Sequence, residues 1–343
     1  MQKEKYILIT GGAGFIGSHT YVELLNSGFT PVIADDFRNA NPLVIKNLEQ
    51  LTGQTVLFSE IDVNDYKSLK KVFEKYDLQG IIHFAAYKAV GESVKEPLKY
   101  YENNIGSLIQ TLKLAVEFGV TNFVFSSSCT VYSIPDENNQ VTEDDAQLRA
   151  YSPYGQTKII GELILDDFYN AYPDFRIMAL RYFNPVGAHP SGLIGEYPIG
   201  TPNNLLPYIT QTGIGKLKSL TVFGNDYNTA DGTCIRDYIH VCDLAKAHVK
   251  ALDYNVENKK GSLEFINVGT GKGHSVLEMI AIFERISNVK LNYTLGPRRA
   301  GDVACIYANT DKGKKILKWN SEYSIQDAVQ HAWNWEKNLS NEK

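Results

Sequence analysis

The chain has 343 residues, enough for two packed regions, and its mix of apolar, aromatic and charged residues is that of a globular protein. Its 34 Lys and Arg against 39 Asp and Glu leave a net charge of −5, which argues against nucleic acid or an anionic membrane as the main partner. No apolar run is long enough to span a bilayer and no signal-peptide pattern precedes the first strand, so a cytoplasmic location is expected.

The first strand is expected at Tyr6–Thr10, a short apolar run of the kind buried on both faces of a parallel sheet. Gly11, Gly12, Ala13, Gly14, Phe15, Ile16 and Gly17 follow, then a helical pattern through Val22, Leu24 and Leu25 that stops near Gly28. Strand, glycine turn and helix in that order point to a bound dinucleotide. Gly11 allows the tight turn, Gly14 lets the backbone approach a pyrophosphate, and Gly17 lets helix and strand pack closely. The helix N-terminus offers N–H groups to phosphate oxygens. The next run, 31–34, ends in Asp35 and Asp36. A carboxylate at Asp35 suits the adenine ribose hydroxyls and repels a 2′-phosphate, which favours NAD over NADP. Arg38 pulls the other way, because an arginine there tolerates that phosphate.

A short run at 56–58 leads to Asp62 and Val63. Asp62 reads equally as an adenine contact or as the N-cap of the following helix. Residues 81–86 read as a further buried strand, with Ala85 and Ala86 small enough for the backbone to lie against a cofactor. His83, inside that apolar run, reads as a core histidine with its hydrogen bonds satisfied. Phe123–Phe125 is another buried strand, with Ser126, Ser127 and Ser128 at its C-terminal end, where open parallel sheets bind ligands. Ser152 and Pro153 look like an N-cap and the first helical position. Tyr154 then falls in the first turn, with Lys158 on the same face. A free phenol titrates near pH 10 and is a poor base at neutrality. A nearby ammonium, the positive helix end and an oxidised nicotinamide favour the phenolate. Tyr154 could then accept a hydroxyl proton while Ser128 holds the same oxygen.

Strands alternate with helical patterns up to the buried run at 177–180, which implies an α/β doubly wound parallel sheet. From 184 to 232 the chain is rich in Pro, Gly and Asn, with few periodic stretches, as in a smaller region covering a substrate. The boundaries expected are 1–183 and 184–343, with part of 234–270 returning to the first domain. Cys129, Cys234, Cys242 and Cys305 are scattered and neither they nor the histidines show metal-ligand spacing, so free thiols in a reducing compartment and no metal are expected.

The chain resembles the extended short-chain dehydrogenases/reductases with a Rossmann-type sheet, and within them the UDP-glucose 4-epimerases. The likeness rests on TGGAGFIGSHT at 10–20, HFAAYKAVGESV at 83–94, FSSSCTVY at 125–132 and SPYGQTK at 152–158. It continues in LRYFNPVGAHPSG at 180–192, FGNDYNTADGT at 223–233, IRDYIHVCDLA at 235–245 and RRAGD at 298–302. The resemblance implies an NAD site of Gly11, Gly14, Phe15, Ile16, Gly17, Asp35, Asp36, Asn39, Asp62, Val63, Phe84, Ala85, Ala86, Lys88, Asn103, Ser126, Tyr154, Lys158 and Tyr182. It implies that Lys88, Ser128, Tyr154, Phe183, Asn184, Asn203, Asn204, Leu205, Arg236, Arg299, Asp302 and Ile306 meet a UDP-sugar. Catalysis would fall to Ser128, Tyr154 and Lys158, through a 4-keto sugar that turns in the pocket. A homodimer through helices near 98–118 and 152–172 is implied as well. Two departures stand out: Ser133 where the family usually has glycine, and Asp36 where Asn is frequent. A dehydratase of the same superfamily needs a carboxylic acid after the Ser, and Cys129-Thr130 cannot serve. A non-catalytic NAD-sensing scaffold is at odds with the intact Ser128, Tyr154 and Lys158.

Overall fold

A computed structural model of the chain describes residues 4–132, 140–257, 260–299 and 302–341. Seven strands form the main sheet: β1 Tyr6–Thr10, β2 Thr30–Asp35, β3 Leu57–Glu60, β4 Leu78–His83, β5 Asn122–Ser128, β6 Arg176–Tyr182 and β7 Ser262–Val268. Their spatial order is β7-β6-β5-β4-β1-β2-β3. Every pairing is parallel, so the sheet is doubly wound, as the alternation of elements implies. The direction of winding reverses between β1 and β4, which opens a crevice at the carboxyl ends of the strands.

The period-2 alternation of each strand builds the two faces. Ile7, Ile9, Ile33, Val124 and Leu180 point to one side, onto Val22 and Leu24 of helix Phe15–Asn26 and Leu244 and Leu252 of helix Val241–Glu257. Leu8, Val32, Phe123, Phe125 and Ile177 point to the other, onto Leu69, Leu108, Leu112 and Leu165 of the helices there. Each such side chain contributes about 1.5–3 kcal/mol when fully buried. All seven residues of β5 are buried, and after Asn122 its sequence is a run of apolar and small residues.

The second body is built mainly from the C-terminal half. Ile235–His240 is the centre of a small sheet with Gly273–Ser275, Cys305–Ala308 and Gln140–Val141, and Asn184–Val186 also pairs with it. Helices Leu205–Gly213, Val276–Ser287 and Ile325–Asn341 close an apolar cluster around Phe283 and Trp333. Helix Leu205–Gly213 interrupts a stretch that shows little periodicity in the sequence. The stretch from 235 divides: its strand joins the small sheet, while helix Val241–Glu257 and β7 lie with the main sheet. Ser133 lies outside the described residues.

Candidate active site

A cavity of about 440 Å³ opens at the reversal point. Its wall carries Gly11, Gly14, Phe15, Ile16, Gly17, Asp35, Asp36, Asn39, Asp62, Val63, Phe84, Ala85, Ala86, Lys88 and Asn103 from the first four strand ends and the segments that follow. Ser126, Ser128, Tyr154, Lys158, Tyr182, Phe183, Asn184, Asn203 and Asn204 complete the predicted residues on it. Leu205, Arg236, Arg299, Asp302 and Ile306 are not on that wall. Leu205 turns into the apolar cluster under its own helix.

The glycine turn is constrained where the sequence requires. Gly11 has φ +69°, and a Cβ there would come within 2.8 Å of the Ala85 nitrogen. A Cβ on Gly17 would meet the Gly11 carbonyl oxygen at 2.5 Å. Gly14 is the N-cap of helix Phe15–Asn26 and the helix has no side-chain cap. Its first-turn amides are thus left to bind an anion at the cavity. Asp35 accepts from the Ala13 and Phe37 amides at 3.0 and 2.9 Å, and burial pushes its carboxyl above the usual range against those bonds. Asp62 is not the helix cap: Asp65 is, accepting from the Lys67 amide. Asp62 instead faces Arg38, whose guanidinium donates to it at 2.6 Å and lies 2.5 Å from Asp36. Arg38 is therefore committed to two carboxylates, and Asp36 has a partner on the protein. The predicted strand 81–86 ends at His83, and Phe84–Ala86 run along the cavity as loop. His83 is buried with its Nδ1 2.9 Å from the Thr10 hydroxyl.

Helix Pro153–Ala171 begins as its sequence indicates, with Ser152 accepting from the Gly155 amide at 3.1 Å and Pro153 in the first turn. This places Tyr154 and Lys158 against the end of β5. The Lys158 ammonium donates to the Ser126 carbonyl at 2.6 Å and reaches the Ser126 hydroxyl at 3.2 Å. It lies 5.9 Å from the centre of the Tyr154 ring. The Tyr154 phenol hydrogen-bonds Ser128. Ser128 Oγ accepts from the Thr130 amide and hydroxyl at 3.2 and 3.0 Å, which leaves its own proton to donate elsewhere. Burial pushes Tyr154 up to about 12, partly opposed by the Ser128 bond. Burial likewise brings Lys158 down to about 7, with Glu162 pulling it back up. The lowered phenol expected from an adjacent ammonium is thus absent within the chain's own groups: desolvation outweighs the Ser128 bond that opposes it.

Around the substrate half, the Asn184 side-chain oxygen is buried without a hydrogen-bond partner, an acceptor facing a cavity that can supply a donor. Tyr182 donates its hydroxyl toward His248 at 3.2 Å. Arg299 makes two bonds to Asp302, at 3.1 and 2.9 Å, and Arg236 lies 3.5 Å from the same carboxylate. Ile306 pairs in register with Arg236 and packs with Phe183 behind the wall. Sequence reasoning missed Glu196, which accepts from Lys88 at 3.1 Å and from Asn204 at 2.6 Å. It also missed Trp335, which donates to the Glu196 carbonyl from the last helix. Neither carries a local motif; only tertiary structure brings them to the wall.

Sheet, glycine turn and the Ser–Tyr–Lys group define a protein of the short-chain dehydrogenase/reductase class. A family model described as GDP-mannose 4,6 dehydratase matches residues 8–332. A UDP-glucose 4-epimerase of Dictyostelium discoideum is 48% identical over 330 residues, covering 96% of this chain and 95% of the relative. The crystal structure of UDP-glucose 4-epimerase from Bifidobacterium longum in complex with NAD⁺ and UDP is 44% identical, with a TM-score of 0.94 over 98% of this chain and 99% of that one. One from Stenotrophomonas maltophila, with bound NAD and formylated UDP-arabinopyranose, is 41% identical with a TM-score of 0.95 over 99% and 100%. The chain belongs to the family that the model describes and, within it, to the UDP-glucose 4-epimerases.

Proposed function

We propose that the chain interconverts UDP-galactose and UDP-glucose by inverting C4 of the hexose through a transient 4-keto sugar, with NAD held tightly in the cavity. The carrying observation is that Ser128, Tyr154 and Lys158 lie on the wall of the same cavity as the glycine turn. The residues fit the cofactor: the uncapped helix start suits a pyrophosphate, and the Asp35 carboxylate suits a ribose with free hydroxyls. When bound, NAD supplies a hydride acceptor that is restored within each turnover.

The chain's own residues manage the proton. Tyr154 takes the C4 hydroxyl proton while Ser128 donates to the oxygen as it becomes a carbonyl. Since burial leaves the phenol at about 12, this role needs positive charge in the cavity beyond that of Lys158. Asn184 and Phe183 meet the sugar, Lys88 serves where the two ligands adjoin, and Asn203 and Asn204 meet the nucleotide end, with Leu205 anchoring their helix in the apolar cluster behind them. Arg236 and Arg299 share one carboxylate, and the positive charge left over suits a diphosphate. Elimination of water, as in a dehydratase, is disfavoured because Ser128 is followed by Cys129 and Thr130, and Thr130 is spent on Ser128.

Residues 1–183 with helix Val241–Glu257 and β7 act as the cofactor domain, and the remainder as the substrate domain. Two copies pair through helices Pro97–Phe118 and Pro153–Ala171, whose Leu98 and Leu163 are exposed. The four free cysteines suit a reducing cytoplasm. The deciding experiment is incubation of purified protein with UDP-galactose and no added NAD. UDP-glucose should form, and denatured protein should release NAD or NADH. Turnover that consumes added NAD as a reagent would overturn the reading.

A further inference from the structure

Behind the proton-transfer residues lies a buried ionic network whose charged members, Glu162 and Arg181, are off the cavity wall. Glu162 and Arg181 are 7% and 4% exposed. They form a two-point ion pair, Nε to Oε1 at 2.9 Å and Nη2 to Oε2 at 2.8 Å. The same Glu162 Oε1 accepts from the Ser127 hydroxyl at 2.5 Å. The other side of Arg181 donates to the Glu143 carbonyl at 2.7 Å and to the Tyr132 hydroxyl at 3.1 Å. Tyr132 in turn donates to Asn267 of β7. The network thus ties β5, β6, β7 and helix Pro153–Ala171 together at the floor of the site.

Its placement is specific. Ser127 sits between Ser126, which accepts from Lys158, and Ser128, which hydrogen-bonds Tyr154. Glu162 is four residues beyond Lys158, one turn along the same face of the same helix. We propose that Glu162, locked by Arg181, is a positioning residue for proton transfer: it holds the strand end that presents Ser126 and Ser128, and it sets a carboxylate one turn behind the Lys158 ammonium. This rests on the reading of Tyr154 and Lys158 given above. Around Lys158 the other groups offer no negative charge: Ser126 and Phe125 from β5, the neutral Tyr154 phenol, His83 from β4 and Tyr182 from β6. His83 is brought down to about 3 by burial and by Lys158 itself. Burial disfavours the ammonium and Glu162 opposes that effect.

The sign follows. Without the Glu162 charge, Lys158 loses its proton at lower pH and the Tyr154 phenolate loses support. The pH–rate profile of Glu162→Gln should therefore narrow, its alkaline limb moving to lower pH by on the order of one unit. Carbon-13 NMR of the Lys158 Cε should titrate at lower pH in step. Because Arg181 would be left as a buried unpaired charge, the double variant Glu162→Gln/Arg181→Met is the companion: both charges leave, an acceptor for Ser127 stays, and the shift keeps its direction. A kcat lowered equally at every pH with both limbs in place, or an unmoved Lys158 resonance, would overturn the inference. An unmodified protein inactive on UDP-galactose would instead overturn the functional reading, so the two failures separate.

Discussion

Tyr154 sits between opposing demands: burial keeps its proton on, and the reaction needs the proton acceptor. Removing the hydroxyl tests the role directly. Tyr154→Phe should lower kcat by on the order of 10²–10⁴-fold with UDP binding intact, measured by steady-state kinetics beside calorimetric titration with UDP. Near-normal turnover would show that another group takes the proton. Substrate range is also a single-residue matter. In the resemblance, the fourth residue after Asp302 flanks the sugar, and Ile306 holds that place. Cys305, its neighbour, pairs with Ile235, whereas Ile306 pairs with Arg236 and packs on Phe183. Neighbouring strand positions face opposite sides, so the branched, stiff Ile306 stands on the side of the arginine and the phenylalanine. An N-acetyl group seated beside Phe183 would press that ring onto Ile306 behind it, at a cost of roughly 1–3 kcal/mol, as overpacking does. UDP-galactose should therefore be preferred over UDP-N-acetylgalactosamine in kcat/KM, and Ile306→Ala should narrow the gap. Equal values in the unmodified protein would remove Ile306 as the gate.

Among elements, the glycine turn offers the sharpest test. A methyl on Gly17 would meet backbone atoms of Gly11 and Gly12 at 2.5 and 2.7 Å, and backbone cannot swing aside as a side chain can. Gly17→Ala should therefore push helix Phe15–Asn26 off β1 and yield protein purified with little bound nucleotide, read by absorbance after denaturation. Full nucleotide occupancy would show that the turn tolerates the shift. Ser152→Ala should cost about 1 kcal/mol through loss of the cap at Gly155, read by urea unfolding. These two elements were legible because their signals are local: glycine spacing, a Ser-Pro start, an apolar strand. Where the signal was not local, the sequence was less informative. The extended run at 81–86 reads as one strand, yet pairing ends at His83 because Phe84–Ala86 follow the cavity. Asp62 reads as an adenine contact or a helix cap, and only the turn geometry gives the cap to Asp65. Glu196 joins Lys88 to Asn204 across more than a hundred residues of chain, a distance no motif spans.

For the whole molecule, the histidines decide behaviour in acid. His19, His83, His240 and His248 are each no more than 2% exposed. Their rings make hydrogen bonds that suit a neutral imidazole: His19 with the Phe15 carbonyl, His83 with Thr10, and His248 with the Leu244 carbonyl on one nitrogen and the Tyr182 hydroxyl on the other. His240 receives the Cys242 amide and lies 3.0 Å from His331. Burial brings the first three down from 6.5 to about 3 and His248 to about 4. Lowered folded values mean that the unfolded chain binds more protons below pH 6.5. Stability is therefore fully present above about pH 6.5 and is lost as the pH falls from there toward the folded values. Each group forfeits about 1.4 kcal/mol by pH 5.5, so the four together forfeit roughly 5–6 kcal/mol. That is comparable with the whole stability of many domains, about 5–15 kcal/mol. Urea unfolding at about pH 7.5, 6.5 and 5.5 should show a steep fall over the last unit, and a variant with His83→Gln should show a shallower one. Stability that stays level from pH 7.5 to 5.5 would mean that these rings accept protons in the folded state, and that the core opens to water around them.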